Sequence, residues 1–221
     1  MAVKGVVIEF DFAAMNGADL LFGTTKKFLE ELDGIGFDTR TEAKYLAGAK
    51  CQDGLSRLFA TVKTKKTAQK AARDLQAAFA AAVTAAIPRA VTVAFTNFVR
   101  ALTEKGVRVV LLTQADEAAA RVALASVLNA SVSLYADAFA YYGTMGGSAW
   151  LRACRFGGLT TSSTLAITGS GFGVRSALLA GMGSVAVTNE HVAYQDFGGA
   201  DAVIDELSGK TVKKVLEKLR V

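Results

Sequence analysis

Proline, histidine and tryptophan each occur once in these 221 residues, and cysteine only twice. Cys51 and Cys154 lie far apart, without CxxC spacing or a histidine cluster, so neither a disulfide framework nor a zinc site is expected and both thiols read as buried and reduced. Cys154, on a helix with Leu151, reads as core. The lone histidine, His191, has no Ser or Cys partner at an interpretable spacing, so no nucleophile–base pair can be argued, and it reads as a surface-loop residue. Long apolar runs are missing too. Hydrophobic residues make up 52% of the chain, but Lys, Asp, Glu or Gly break them well short of the ~20 residues that cross a bilayer. Met1 to Phe10 lack the basic start, apolar middle and small-residue cleavage site of a signal peptide, so a cytoplasmic protein is expected. The net charge is +5, yet no aromatic residues interleave with the basic clusters. Lys63, Lys65, Lys66, Lys70 and Arg73 begin one helix, and Lys213, Lys214, Lys218 and Arg220 line another. Both read as solvated faces, and no nucleic-acid partner is expected.

What is present is an alternation. Val3 to Phe12 reads as a buried strand, because Val6, Val7, Ile8, Phe10 and Phe12 are β-branched or aromatic, with Glu9 interrupting them before Asp11. Amphipathic helices follow at Leu21–Leu32, about Thr41–Leu58 and Thr67–Ala86, the last with Leu75, Phe79, Val83 and Ala86 on one face. Pro88 closes that helical region in this reading. After it come a helix at Val91–Lys105, a strand at Val107–Leu112 and a helix at Asp116–Leu128. Strands at Val132–Tyr135, Leu165–Thr168 and Val185–Val187 continue the pattern, with helices at Trp150–Phe156, Val174–Ala180 and Thr211–Leu219. Strands separated by helices imply a parallel sheet covered on both faces. The expectation is a doubly wound α/β core at residues 1–15 and 88–221, with a helical cap inserted at 16–87. Ligands of such sheets bind beyond the carboxyl ends of the strands, which brings Asp11, Thr113 and the Gly169 loop around one crevice.

Three segments carry a family resemblance. VVIEFDFAAMNG at 6–17 resembles the first motif of the haloacid dehalogenase-like superfamily, a strand ending in Asp-x-Asp-Gly-Thr/Val, with Asp11 at the nucleophile position. GVRVVLLTQADEAAARVAL at 106–124 resembles the second, where Thr113 matches the strand-end Thr or Ser. LAITGSGFGVRSALLAGMGSVAVTN at 165–189 is similar to the fourth motif of the phosphoglycolate phosphatase and β-phosphoglucomutase-like branch, matching at Ser170, Gly173, Ala180, Gly181 and Met182. The resemblance extends to the inserted helices, where Gly48 to Lys50 falls like the cap's substrate-facing loop. It implies a Rossmannoid core with a helical cap, Mg²⁺ as cofactor, and a small phosphorylated metabolite as ligand. It also implies that Thr113, Gln114, Gly169 and Ser170 hold the phosphate and that Lys50 faces the substrate.

Departures from the motifs bear on activity. The chemistry calls for a second Asp as acid/base, acidic ligands for magnesium, and a Lys that neutralises phosphoryl charge. Ala13 stands at the second Asp, Thr168 and Gly169 at the fourth-motif acids, and the stretch GTMGGSAW at 143–150 has no Lys. Losing one positioned acid/base costs ~10²–10⁴ in rate. A catalytically impaired, phosphatase-like pseudoenzyme with no bound metal is therefore expected. An active phosphatase working through Asp11 is the alternative. TGSGFG at 168–173 follows a strand and opens a helix, but a dinucleotide fingerprint would need glycine where Val174 stands, so a tight strand-to-helix turn is the plainer reading. Tyr141, Tyr142 and Met145 read equally as substrate-facing loop or as packing.

Overall fold

The computed structural model describes residues 4–137, 142 and 145–219. The chain opens with β1 (Gly5–Glu9), turns through a single helical turn α1 (Phe10–Ala13), and leaves the sheet for α2 (Gly17–Asp33), α3 (Thr39–Thr41), α4 (Cys51–Phe59) and α5 (Ala68–Ala90). It returns through α6 (Val93–Glu104), β2 (Arg108–Thr113), α7 (Glu117–Ala123), β3 (Val132–Ala136) and α8 (Gly147–Phe156). β4 (Thr164–Thr168), α9 (Gly171–Leu179), β5 (Gly183–Val187), β6 (Ala202–Ile204) and α10 (Val212–Leu219) complete it. All five strand pairings are parallel, in the order β3-β2-β1-β4-β5-β6. Every residue of β1 and β4 is buried, as expected of strands covered on both faces. β1 lies between β2 and β4 at the point where the strand order reverses, so the crevice of such a sheet opens beside its carboxyl end.

The structure departs from the sequence expectation in four places. The first strand ends at Glu9; Phe10 to Ala13 coil into a tight turn closed by the Ala14 amide on the Phe10 carbonyl at 3.0 Å. Pro88 does not end its helix: α5 continues to Ala90 with Pro88 inside it, and the burial of Ile87 and Ala90 holds the last turn although the ring deprives the Thr84 carbonyl of its amide partner. The break falls at Val91–Thr92, where the axis bends by 83° and the Thr92 hydroxyl caps α6 by accepting from the Phe95 amide. The helix expected over Thr41–Leu58 is interrupted after a π-helical turn at Glu42–Leu46. There Gly48 adopts φ +69° against the Phe172 ring, which a Cβ would meet at 2.3 Å. Finally, β6 carries no clear periodic signal because it is three residues long with Val203 facing solvent.

The inserted helices continue the core. Leu75, Phe79, Val83 and Ile87 of α5 are buried in one apolar cluster that also includes Val6, Ile8, Phe10 and Phe12. The Phe12 ring lies 6.0 Å from that of Phe79 and the Phe10 ring 5.3 Å from that of Phe95. On the opposite face Trp150 and Cys154 of α8 pack with Val7, Val110 and Ala166. Cys154 is a core residue, its thiol pushed up to about 11 by burial.

Phe79 is fully buried where insert and sheet meet. Phe79→Ala is expected to cost about 3–5 kcal/mol, and Val122→Ala, at a site 79% exposed, less than about 0.5 kcal/mol. Urea unfolding of both variants checks this.

Candidate functional site

Because β1 stops at Glu9 and the chain then coils, two carboxylates two residues apart both turn into the interior at the carboxyl edge of the sheet. Glu9 and Asp11 are each 0% exposed. Glu9 Oε1 accepts from the Met145 amide at 2.9 Å, and its Oε2 accepts from the Thr168 hydroxyl at the end of β4. Asp11 Oδ1 accepts from the Thr113 hydroxyl at 2.6 Å and Oδ2 from the Gln114 amide at 2.7 Å, both at the end of β2. The Thr113 oxygen also accepts from the Ala115 amide at 3.1 Å. Among the described residues no Lys, Arg or His is hydrogen-bonded to either acid. Burial therefore dominates their protonation: it pushes Glu9 up to about 7, against the Thr168 and Met145 hydrogen bonds and with some help from Asp11, and pushes Asp11 up to about 6.

Asp11, Thr113 and Gln114 thus come together, but in an arrangement the sequence motif did not suggest. Asp11 stands within α1, two residues past the strand end. Glu9 and Asp11 form a buried acid-x-acid pair beside the Asp11-Phe12-Ala13 spacing of the motif. Glu9 is the site residue that sequence reasoning passed over, although a charge inside a fully apolar strand was its visible signal. The Gln114 side-chain amide nitrogen is buried and has no hydrogen-bond partner among the described residues. Ser170 accepts from the Gly173 amide at 2.9 Å and so caps α9, while Gln195 takes the Gly171 amide at 2.9 Å. Lys50 is exposed at the start of α4. Arg152 is held by Asp137 at 2.7 Å and Arg155 is exposed. Tyr141 lies outside the described residues. Tyr142 is fully buried, and His191 sits between two carboxylates rather than on an open loop.

The geometry also tests the magnesium that the resemblance implies. A Cβ on Gly169 would sit 2.1 Å from the Phe12 carbonyl oxygen, so backbone fills the space in which an acidic side chain would have to stand. Ala13 packs in the apolar core. The Thr168 hydroxyl is engaged by Glu9. Among the described residues no three His, Cys, Asp or Glu side chains cluster to hold an ion, and a hard cation demanding octahedral oxygen ligands does not fit here.

An acid whose folded pKa lies above its unfolded value binds more protons when native, so its contribution is complete below the unfolded pKa and is lost as pH rises through the folded one. For Glu9 the window runs from 4.5 to about 7, and stability should fall by about 3 kcal/mol across it. Asp11 adds to this between 3.8 and about 6. Glu9→Gln, which keeps an acceptor for Met145, should remove the Glu9 part of the slope in urea titrations and leave that of Asp11, and a stability that rises over this range would contradict the assignment. Gly169→Asp should cost about 1–3 kcal/mol or more through the clash with Phe12 and should give no Mg²⁺-dependent change in melting temperature.

No family model matches the sequence, and no curated protein matches it. Solved structures do. CbbY from Rhodobacter sphaeroides in complex with phosphate is 14% identical, covers 94% of this chain and 96% of its own, and superposes with a TM-score of 0.66. β-Phosphoglucomutase from Clostridium difficile is 12% identical over 99% and 97%, with a TM-score of 0.69. A family IA, variant 3 hydrolase of the haloacid dehalogenase group from Entamoeba histolytica is 15% identical over 99% and 100%, with a TM-score of 0.71. Agreement along the whole length, inserted helices included, gives this chain the fold of the haloacid dehalogenase-like phosphatases and β-phosphoglucomutases.

Proposed function

We propose that this chain is a non-hydrolytic protein of the haloacid dehalogenase fold, which binds a small phosphorylated molecule without turning it over. One observation carries the reading: the Thr113 hydroxyl and Gln114 amide, the donors expected to hold phosphoryl oxygens, are both spent on the Asp11 carboxylate. An internal anion holds the place of the external one. Asp11 is fully buried, so as a nucleophile it would first have to give up both hydrogen bonds and reach solvent. The loss of acidic ligands described above removes metal-assisted charge neutralisation as well, on which phosphoryl transfer mainly depends.

The ligand's place in this reading is a cleft of about 300 Å³ bordered by Gly48, Gly146, Gly147, Phe172, Arg175 and Ser176. The amino end of α8 borders it, with no side chain capping the first turn, and backbone amides there favour an anion. Arg175 supplies a cation, its guanidinium stacked 5.4 Å from the Phe172 ring. The Gly48 loop of the insert closes the other side. The phosphate bound by CbbY makes inorganic phosphate a reasonable first probe.

With Mg²⁺ and an aryl phosphate, the protein should show no turnover above background. Millimolar phosphate should raise its melting temperature, and Arg175→Gln should abolish that shift. Mg²⁺-dependent hydrolysis lost in Asp11→Asn would establish the alternative, an active phosphatase using Asp11. Absence of any phosphate effect would remove the binding role.

A further inference from the structure

A second polar cluster lies outside the carboxylate pair, at the seam between the inserted helices and the sheet. Its centre is His191, in the 3₁₀ turn Glu190–Val192 that follows β5. His191 Nδ1 lies 2.9 Å from Asp19 Oδ1 of α2, and Nε2 lies 3.2 Å from Glu42 Oε2 of the π-helical turn. Both acids belong to the insert, and the imidazole belongs to the core. The other Glu42 oxygen accepts from the Tyr142 hydroxyl at 3.0 Å, which is also 3.0 Å from the Thr25 hydroxyl of α2. Tyr142 reaches the insert a second time through its backbone: its amide donates to the Ala49 carbonyl at 2.9 Å, and the Gly48 amide donates to its carbonyl at 3.1 Å. The Phe22 ring packs 5.2 Å from the imidazole, and the histidine side chain is only 13% exposed.

Proton counting gives this geometry a direction. A neutral imidazole carries one N–H and one lone pair, and an ionised carboxylate only accepts. With both ring nitrogens facing carboxylate oxygens, both contacts are attractive only while the three groups hold two protons, one on each nitrogen–oxygen line. With one proton fewer, two lone pairs face each other at one of the two contacts, whichever tautomer the ring adopts. The remaining titratable groups around the imidazole do not replace the lost proton. Burial holds the Tyr142 hydroxyl well above its usual range and raises that of Tyr194. The Cys51 thiol beyond Tyr142 is pushed up to about 12, so all three stay neutral near pH 7. Glu190, next in the chain, is exposed. Burial also raises the Glu42 carboxyl above its usual range, against the pull of His191.

We propose that Asp19, His191 and Glu42 form a proton-dependent clasp that holds the inserted helices closed over the carboxyl edge of the sheet. The clasp is shut on the acid side and loosens as one of its two protons leaves. Opening parts Glu42 from Tyr142 and breaks the backbone bridge at Gly48 and Ala49, uncovering the Phe172 side of the cleft. The sheet itself stays intact.

Amide exchange of the full chain tests this, because the Gly48 and Tyr142 amides are protected only across the seam. Corrected for intrinsic rates, their protection should fall by roughly tenfold or more between about pH 5.5 and pH 8.5. Amides of β2 and β4 should keep a larger protection that does not track this fall. His191→Gln should leave the two seam amides weakly protected at both pH values. Asp19→Asn, at a half-exposed position, should reduce protection in the same direction if His191→Gln folds poorly. Seam protection that does not change with pH in the wild type overturns the proposal. So does an unaltered pH dependence in His191→Gln, or a loss that follows the β2 and β4 amides in parallel.

Discussion

The organising constraint of this molecule is a pair of carboxylates buried at the end of the central strand, with no cation hydrogen-bonded to them among the described residues. Placing ionised acids in an interior of low polarity is costly, and the two remedies are protonation and hydrogen bonding. Both operate here. Glu9 ties β1 to β4 and to the segment before α8, and Asp11 ties it to the end of β2. The donors that an open crevice would present to a ligand thereby become internal cross-links between neighbouring strands.

That arrangement dictates what surrounds it. The α1 turn that aims Asp11 at β2 also lays the Phe12 carbonyl against Gly169, and it swings the Phe12 ring into the insert against Phe79. Gly17, which starts α2, has the Asp11 carbonyl 2.3 Å from where a Cβ would be. Backbone and aromatic side chains thus take up the volume in which a metal and its acidic ligands would sit. The insert is drawn down onto the sheet, and little space remains between Phe12, Tyr142 and Phe172. A fold whose relatives by shape include phosphate-binding and sugar-phosphate proteins is here closed over its own strand ends.

Much of this architecture is legible in the sequence, because it depends on local pattern. The apolar runs in β1, β2 and β4, the helical periodicity of α2 and α5 and the single long interruption after the first strand all follow from side chains close together in the chain. Asp11 and Thr113 were recognisable from their positions after such runs. Other features had weaker local signals. Phe10 and Phe12 favour a strand by residue type, yet tertiary packing coils them, because their rings bury better against Phe95 and Phe79. Pro88 suggests a helix stop, but the burial of Ile87 and Ala90 carries the helix past it and the Thr92 cap decides where the next begins.

The sequence alone determined the class of fold and the residue types that stand at Ala13, Thr168 and Gly169, since each depends on residue type and spacing. Only the tertiary structure decided that Glu9 would join Asp11 as a buried pair, that Gly169 would leave no room beside Phe12, and that the one histidine would bridge two acids. The physical reason is range. The partners of Asp11, Glu9 and His191 lie 102, 159 and 149 residues away along the chain, so each contact exists only once the sheet has aligned its strands and the inserted helices have closed on them.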